Sequence, residues 1–493
     1  LLFILAFGVV MKLDQKNARR VVVIGGGISG MAAAHRFLES VQATSGKLEV
    51  LLLEAGPKFG GVIRTHEREG FLLEAGPDTF ISEKPEAVRL AQRIGLTSRL
   101  METNSEHRRS FIVRGGRLHP VPEGFQLLAP SRLWPFVTTP IFSWTGKARM
   151  ALDLLLPKRA GANGGDDESL AQFVRRRLGR EALERMAQPM VGGIYTADPE
   201  QLSLRATMPR FLEMERTHRS LIWAMWRQAR RQSEALSRGT SGARYSLFLS
   251  FDKGMQVLVD QLAARLPHDC IRLNTKVEAL SFDGAERRWN VSLGPTETLS
   301  ADAVCLALPA YAAASLLRET DAGLAADLEA IPYASTATIN LAYRREDIPH
   351  PLDGFGFVVP VIEGRTLLAC SFSSVKFAGR APEGHALLRG FIGGAMQPEN
   401  FALDEERMIK AVRADLRELL GIEKPPLFAH VEKWPRSMAQ YHLGHLERVN
   451  AIKNRLDQLP NLQLAGNAYG GAGIPDCIRS GEAAAESLLA SMN

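Results

Sequence analysis

The sequence predicts an α/β fold, α+β overall, organised around a doubly wound dinucleotide-binding domain. Three observations carry this. The β-branched run Val21-Val22-Val23-Ile24 breaks into Gly25-Gly26-Gly27-Ile28-Ser29-Gly30 and then Met31-Ala32-Ala33-Ala34, which reads as strand, tight turn and helix. In this G-x-G-x-x-G spacing Gly25 allows the turn, Gly27 lets the backbone approach a pyrophosphate, and Gly30 lets helix pack on strand, with the anion on the helix N-terminus beside Ile28 and Ser29. A second strand, Leu48 to Leu53, ends in Glu54-Ala55, which places a carboxylate to accept hydrogen bonds from an adenosine ribose.

The first element to justify is the N-terminus. Leu1 to Val10 is apolar but short for a bilayer span and has no basic residue ahead of it, so it reads as an upstream extension with Met11 the more natural start. A membrane-surface anchor is the alternative. The 493 residues exceed one typical core, and 45% apolar with 23% charged residues is an ordinary globular composition. The net charge of +6 is spread along the chain and points to no nucleic acid. The cysteines Cys270, Cys305, Cys370 and Cys477 lie far apart with no C-x-x-C, so neither a disulfide framework nor a metal site is encoded and a reducing, cytoplasmic setting fits.

After Glu54 come Gly60-Gly61-Val62-Ile63-Arg64 and Glu74-Ala75-Gly76-Pro77-Asp78-Thr79. Nicotinamide enzymes do not need these loops; a flavin dinucleotide does, because more backbone must close over the pyrophosphate and reach the isoalloxazine. Arg64 is placed to pair with phosphate or stack on the flavin. Together with Glu54, these loops resemble the superfamily of flavin-dependent amine oxidases and protoporphyrinogen oxidases. The resemblance implies FAD, held by a discontinuous Rossmann-like FAD domain, beside a mixed-sheet substrate domain.

Residues 85 to 250 read as mostly helical. Trp134, Phe136, Phe142 and Trp144 stand near Arg132, Lys147 and Arg149, a pattern of either a membrane interface or a buried aromatic cluster. Residues 160 to 167 read as a flexible loop, and Ser169 as the N-cap of the following helix. Gly193-Ile194-Tyr195-Thr196-Ala197-Asp198 through Leu202-Ser203 closely resembles a segment of the protoporphyrinogen oxidases that lines their pocket, with Ala197 where that family usually has glycine. Gly193 and Ile194 are thereby implied in the pocket wall. The arginine-rich 216 to 244 reads as a solvated or membrane-facing helix with a loop after it.

The chain then returns to the cofactor domain. Phe251 to Leu258 resembles the family's helix entry, Ile271 to Val277 reads as a strand, and the resemblance implies that Val277 holds the adenine by its backbone. Asp302 to Pro309 is a buried strand and turn. Strands near 337–341, 355–359, 367–372 and 387–392 suggest a sheet with one face covered. Lys376-Phe377-x-x-Arg380 matches the family, with Phe377 either a tetrapyrrole contact or a core residue. Trp434-Pro435-x-Ser437 and Gly466-Asn467 through Ala472-Gly473-Ile474 complete the likeness, which spans residues 21 to 482 and implies Trp434, Gly466, Asn467, Ala472, Gly473 and Ile474 at the flavin.

The expected domains are 11–90, 236–320 and 451–493 for FAD, 91–235 as a mostly helical membrane-associating and pocket domain, and 321–450 for substrate. The resemblance implies oxidation of a porphyrinogen, protoporphyrinogen IX first and coproporphyrinogen III as the alternative, with O2 as acceptor. It leaves room for peripheral contact at the inner face of the cell membrane, a homodimer, and contact with the next heme-pathway enzyme. Asp78 and Lys84 are the candidate pocket charges, Lys84 as a propionate partner. No side-chain acid or base is identifiable, so the chemistry falls to FAD. An amine or polyamine oxidase is a rival, disfavoured by the segments at 193–203 and 474–477. The Rab-binding dissociation inhibitors share the fold without catalysis, but the intact Gly25, Gly27, Gly30 and Glu54 argue for a bound flavin.

Overall fold

The computed structural model describes residues 19–44, 48–126, 128–159, 167–237 and 247–492. The N-terminal extension, most of the loop at 160–167, and the end of the arginine-rich segment therefore lie outside the described residues.

A five-stranded parallel sheet positions the site. Strand β1 (Arg19–Ile24) lies at its centre, with β2 (Leu48–Leu53) and then Ile271–Arg272 on one side and Ala303–Leu306 and then Leu462–Leu464 on the other. The chain order reverses between β1 and Ala303–Leu306, which makes a switch point at the carboxyl ends of the strands, where ligands bind in such sheets. Val21, Val22, Val23 and Ile24 are all buried because both faces are covered. Val21 and Val23 pack with helix α1 (Ile28–Thr44) and helix Ile474–Met492, while Val22 and Ile24 pack with Trp289 and helix Ala310–Leu317. Each such side chain contributes about 1.5–3 kcal/mol on burial.

A seven-stranded mixed sheet forms a second layer, in the order Phe428–Ala439, Tyr333–Arg344, His385–Gly393, Ala369–Phe372, Gly356–Val358, Phe111–Arg114, Arg117–Pro120. Along Tyr333–Arg344 the period of two separates two roles. Ile339, Leu341 and Tyr343 face Met408, Val412 and Leu416 of helix Glu405–Leu420. Thr338 and Asn340 face the opposite way, towards residues 74 and 75.

The expectation of helix from 85 to 250 is corrected between 100 and 130. Leu100–Glu102, Phe111–Arg114 and Arg117–Pro120 are strands, because Phe111-Ile112-Val113 is β-favouring and Gly115-Gly116, both at positive φ, closes a two-residue hairpin pairing Arg114 with Arg117. The strand expected over Ile271 to Val277 stops at Arg272. Beyond it Asn274 and Thr275 hydrogen-bond to the backbone of Gly56 and Glu54, so the segment follows the first strand-end loop rather than the sheet. Helices resume at Leu133–Thr138, and Ser169 caps Leu170–Arg177 through a capping box with Gln172. Among the described residues no helix is long and apolar enough to cross a membrane.

Candidate active site

At the end of β1 the backbone turns through Gly25 at φ +109°, where a Cβ would lie 2.4 Å from the Ala307 carbonyl oxygen, so only glycine fits. A Cβ on Gly30 would meet the Gly25 carbonyl oxygen at 1.9 Å, while one on Gly27 would meet nothing within 4 Å. The motif therefore packs tightly at its ends and leaves open space at its middle, against the first-turn N–H groups of α1 at Ile28, Ser29 and Gly30. That is the shape and polarity a pyrophosphate requires. Gly60 bridges to Gly27, with its N–H donating to Gly26 at 2.9 Å, and so brings Gly60-Gly61 over the same space.

The Glu54 carboxylate accepts from Gly26 N–H at 2.6 Å and Gly56 N–H at 2.7 Å. Both oxygens keep a second lone pair, so the group is fixed in place while still able to receive ribose hydroxyls. Ala55 beside it is exposed. Val277 is buried in the core next to the segment that runs along Glu54, Ala55 and Gly56.

The second half of the site is the segment from Glu74 to Thr79, which follows strand β4 (Phe71–Glu74), itself paired with β3 (Thr65–Arg68). A Cβ on Gly76 would fall 1.6 Å from the Val62 carbonyl oxygen, so the two loops touch through backbone alone. The Ala75 carbonyl accepts from Thr338 Oγ1 at 2.7 Å and from Trp434 Nε1 at 2.8 Å, and the Glu74 carbonyl from Asn340 at 3.1 Å. The Arg389 guanidinium donates to the Gly76 carbonyl, and Ser250 Oγ to that of Asp78 at 2.8 Å. The Asp78 side chain pairs with Lys376 at 2.8 Å and with Arg389 at 3.7 Å. Burial alone would raise its pKa, but these two cations outweigh burial and hold it at about 2. Thr79 and Pro77 are half-buried alongside. Arg64 pairs with Glu432 at 2.9 Å and lies 5.3 Å from the Trp434 ring.

The third part closes from the C-terminal side. Tyr441 Oη donates to the Asn467 carbonyl at 2.6 Å and accepts from Gly471 N–H at 2.9 Å, which fixes the turn from Gly466 through Ala472 and Gly473 into the helix that starts at Ile474. Asp476, in that helix's first turn, accepts from Lys84 at 2.5 Å and from Arg479 at 2.5 Å. Lys84 thus fastens the turn ahead of helix Glu86–Arg93 to helix Ile474–Met492.

These contacts link Gly27 to Gly60, Val62 to Gly76 and Ala75 to Trp434; the substrate candidates are more scattered. Phe377 is 2% exposed, its ring 5.4 Å from both Lys376 and Arg380. Gly193 and Ile194 are exposed on helix Gln188–Tyr195, and among the described residues no hydrogen bond or ion pair links them to Asp78 or Lys84. Thr196, not Ala197, takes the left-handed turn there, at φ +49°. Residues that sequence reasoning missed are Thr338, Asn340, Lys376, Arg389 and Tyr441. The signal for the first two was a polar alternation inside an apolar strand. Burial pushes the Cys477 thiol up to about 12, so it is no thiolate nucleophile.

An open glycine cradle, a carboxylate fixed by two backbone N–H groups and a switch point at the strand ends define a dinucleotide-binding α/β protein. The family model described as flavin containing amine oxidoreductase matches residues 28–489, and the chain belongs to that family. The chain is 34% identical over 472 residues to the coproporphyrinogen III oxidase of Bacillus subtilis (strain 168), covering 96% of this chain and 98% of that protein. It is 32% identical over 496 residues to Bos taurus protoporphyrinogen oxidase, covering 96% and 98%. A solved structure from Exiguobacterium sp. 255-15, provisionally assigned as a protoporphyrinogen oxidase, superposes with a TM-score of 0.83 at 30% identity, covering 96% of this chain and 99% of the other.

Proposed function

We propose that this flavoenzyme carries out the six-electron oxidation of a porphyrinogen to the porphyrin, in three two-electron steps, with O2 as acceptor and H2O2 as product. The observation that carries the reading is the near-full-length likeness to a coproporphyrinogen III oxidase. Coproporphyrinogen III is the first substrate on that ground. Protoporphyrinogen IX, the substrate expected from the motifs, is the second reading, favoured by the segment at 193–203 and the likeness to the bovine enzyme. FAD would accept hydride from the macrocycle.

The chain's own residues do the rest. Gly25, Gly27, Ile28, Ser29, Gly30, Gly60 and Gly61 hold the pyrophosphate, and Glu54, Ala55 and Val277 the adenosine end. Arg64, Gly76, Pro77, Thr79, Trp434, Gly466, Asn467, Ala472, Gly473 and Ile474 surround the ring. Asp78 serves as an anchor rather than a base, since its carboxylate is already committed to Lys376. Gly193 and Ile194 offer an apolar wall on the substrate side. The proposed division is FAD-binding residues 11–90, 236–320 and 451–493, a pocket unit at 91–235 and a substrate unit at 321–450, with strands Phe111–Arg114 and Arg117–Pro120 joining the mixed sheet of the substrate unit and Trp434 reaching the FAD side from it.

Leu133 and Trp134 on helix Leu133–Thr138, Trp144 on helix Trp144–Ala151 and Leu155 in the turn after Leu152–Leu154 are each more than 70% exposed, and Trp223 and Trp226 are exposed on helix Leu221–Ser237, which packs against Leu152–Leu154. Exposed apolar side chains of this kind beside Arg132 suit contact with an anionic lipid surface, whereas Arg149 is held by the carbonyls of Arg175, Arg176 and Arg177. The catalytic reading is tested by supplying each porphyrinogen separately in air and following porphyrin fluorescence with O2 uptake, corrected for autoxidation. The ratio of the two kcat/KM values decides the substrate, and no rate above autoxidation with either one rejects the proposal.

A further inference from the structure

Behind the flavin-side loop, one strand step from Arg64 and Trp434, three ligand-type side chains meet. His66 stands on β3, and His430 and Glu432 on strand Phe428–Ala439. Glu432 Oε2 lies 3.7 Å from His66 Nε2 and 3.5 Å from His430 Nε2, and one ligand atom from each residue falls within 4.8 Å of the others. Both Nε2 atoms are shielded from solvent and neither has a hydrogen-bond partner among the described residues. Two solvent-shielded imidazole nitrogens within 3.7 Å of one carboxylate oxygen, with no hydrogen bond made to it, form an arrangement that a bound cation completes.

We propose that His66, His430 and Glu432 form a binding site for a borderline divalent cation, with Zn(II) the expected occupant. A tetrahedral zinc with bonds of about 2.0–2.1 Å sets neighbouring ligand atoms about 3.3–3.4 Å apart, so the two edges to Glu432 close by a few tenths of an ångström, and the edge between the two imidazole nitrogens, within 4.8 Å, closes by up to about 1.5 Å through rotation of the rings. Imidazole with carboxylate suits zinc better than magnesium or calcium, which prefer all-oxygen shells. Glu432 divides its labour: Oε1 holds Arg64 at 2.9 Å, and Oε2 is left for the ion. The fourth position is open to water. The ligands come from strands far apart in the chain, which is why no spacing in the sequence announces them. The site is independent of which substrate the enzyme takes, and an ion there would fix the strand that carries Trp434 against the loop that carries Arg64.

The test uses the untagged, FAD-loaded protein. Equilibrium dialysis against Zn(II) with metal analysis reads stoichiometry and affinity, and Co(II) substitution reads geometry through absorption at wavelengths longer than the flavin absorbs. One saturable ion per chain is expected, with affinity reduced at least about tenfold in His66→Gln and His430→Gln. In His268→Gln, which alters an exposed histidine elsewhere, affinity should be unchanged. FAD content reports folding, and whichever histidine variant keeps its FAD decides. No saturable binding, or affinity unaltered in that variant, overturns the proposal.

Discussion

Asp78 shows how one buried charge can organise a cofactor loop. Its carboxylate sits between Lys376 and Arg389, and its pKa of about 2 against an unfolded value near 3.8 corresponds to about 2 kcal/mol of stability. Because the folded pKa is the lower one, that stability is fully present above pH 4 and is lost as pH falls towards 2. Lys376→Met is therefore expected to destabilise the protein by about 2–3 kcal/mol at pH 7, in urea unfolding, with the gap to wild type narrowing below pH 4. A gap that stays constant with pH would mean that Lys376 acts through packing. At Gly76 the constraint is steric. A methyl group there would sit 1.6 Å from the Val62 carbonyl oxygen, so Gly76→Ala is expected to cost at least about 3 kcal/mol in the loop and to lower the FAD content of purified protein. Full FAD loading would show that the two loops can part.

At the scale of elements, the strands and helices that bind the dinucleotide were legible because each carries a local signature: a β-branched run, a glycine turn, an acidic strand end. The hairpin at 111–120 is equally marked by Gly115-Gly116, but that local mark is diluted within a segment whose average character is helical. Of the donors that fasten residues 74–79, Trp434 was legible from its motif, whereas Thr338, Asn340 and Arg389 were not, because they come from a distant sheet and reveal themselves only by facing opposite to Ile339 and Leu341. The same holds for His445, which opens helix His445–Leu456 with its ring stacked on Tyr441, 4.2 Å between centroids. Burial lowers its pKa to about 4, against about 6.5 unfolded, so the folded state excludes the proton. Stability should accordingly be complete above pH 6.5 and fall by about 3 kcal/mol as pH drops to 4. His445→Phe keeps the stack and cannot protonate, and is expected to flatten the pH 4–6.5 slope in denaturant titrations. An unchanged slope would assign the pH dependence to other groups.

For the molecule as a whole, two sheets set the geometry. The parallel sheet offers its switch point, and the mixed sheet holds residues 74–79 by hydrogen bonds from Thr338, Asn340, Arg389 and Trp434. The exposed apolar side chains Trp134, Trp144 and Leu155 lie between residues 133 and 155, outside the strands of both sheets. If these side chains meet lipid, the protein should float with anionic vesicles at low salt, and Trp134→Glu with Trp144→Glu should abolish flotation while leaving FAD content intact; flotation by the double variant equal to wild type would refute lipid contact there. The reaction itself is tested most directly by anaerobic mixing of the FAD-loaded protein with coproporphyrinogen III. A porphyrinogen oxidase is expected to bleach its visible flavin absorbance and to recover it on admission of air as porphyrin fluorescence rises. Flavin that stays oxidised with both porphyrinogens but is bleached by an amine would contradict the assignment.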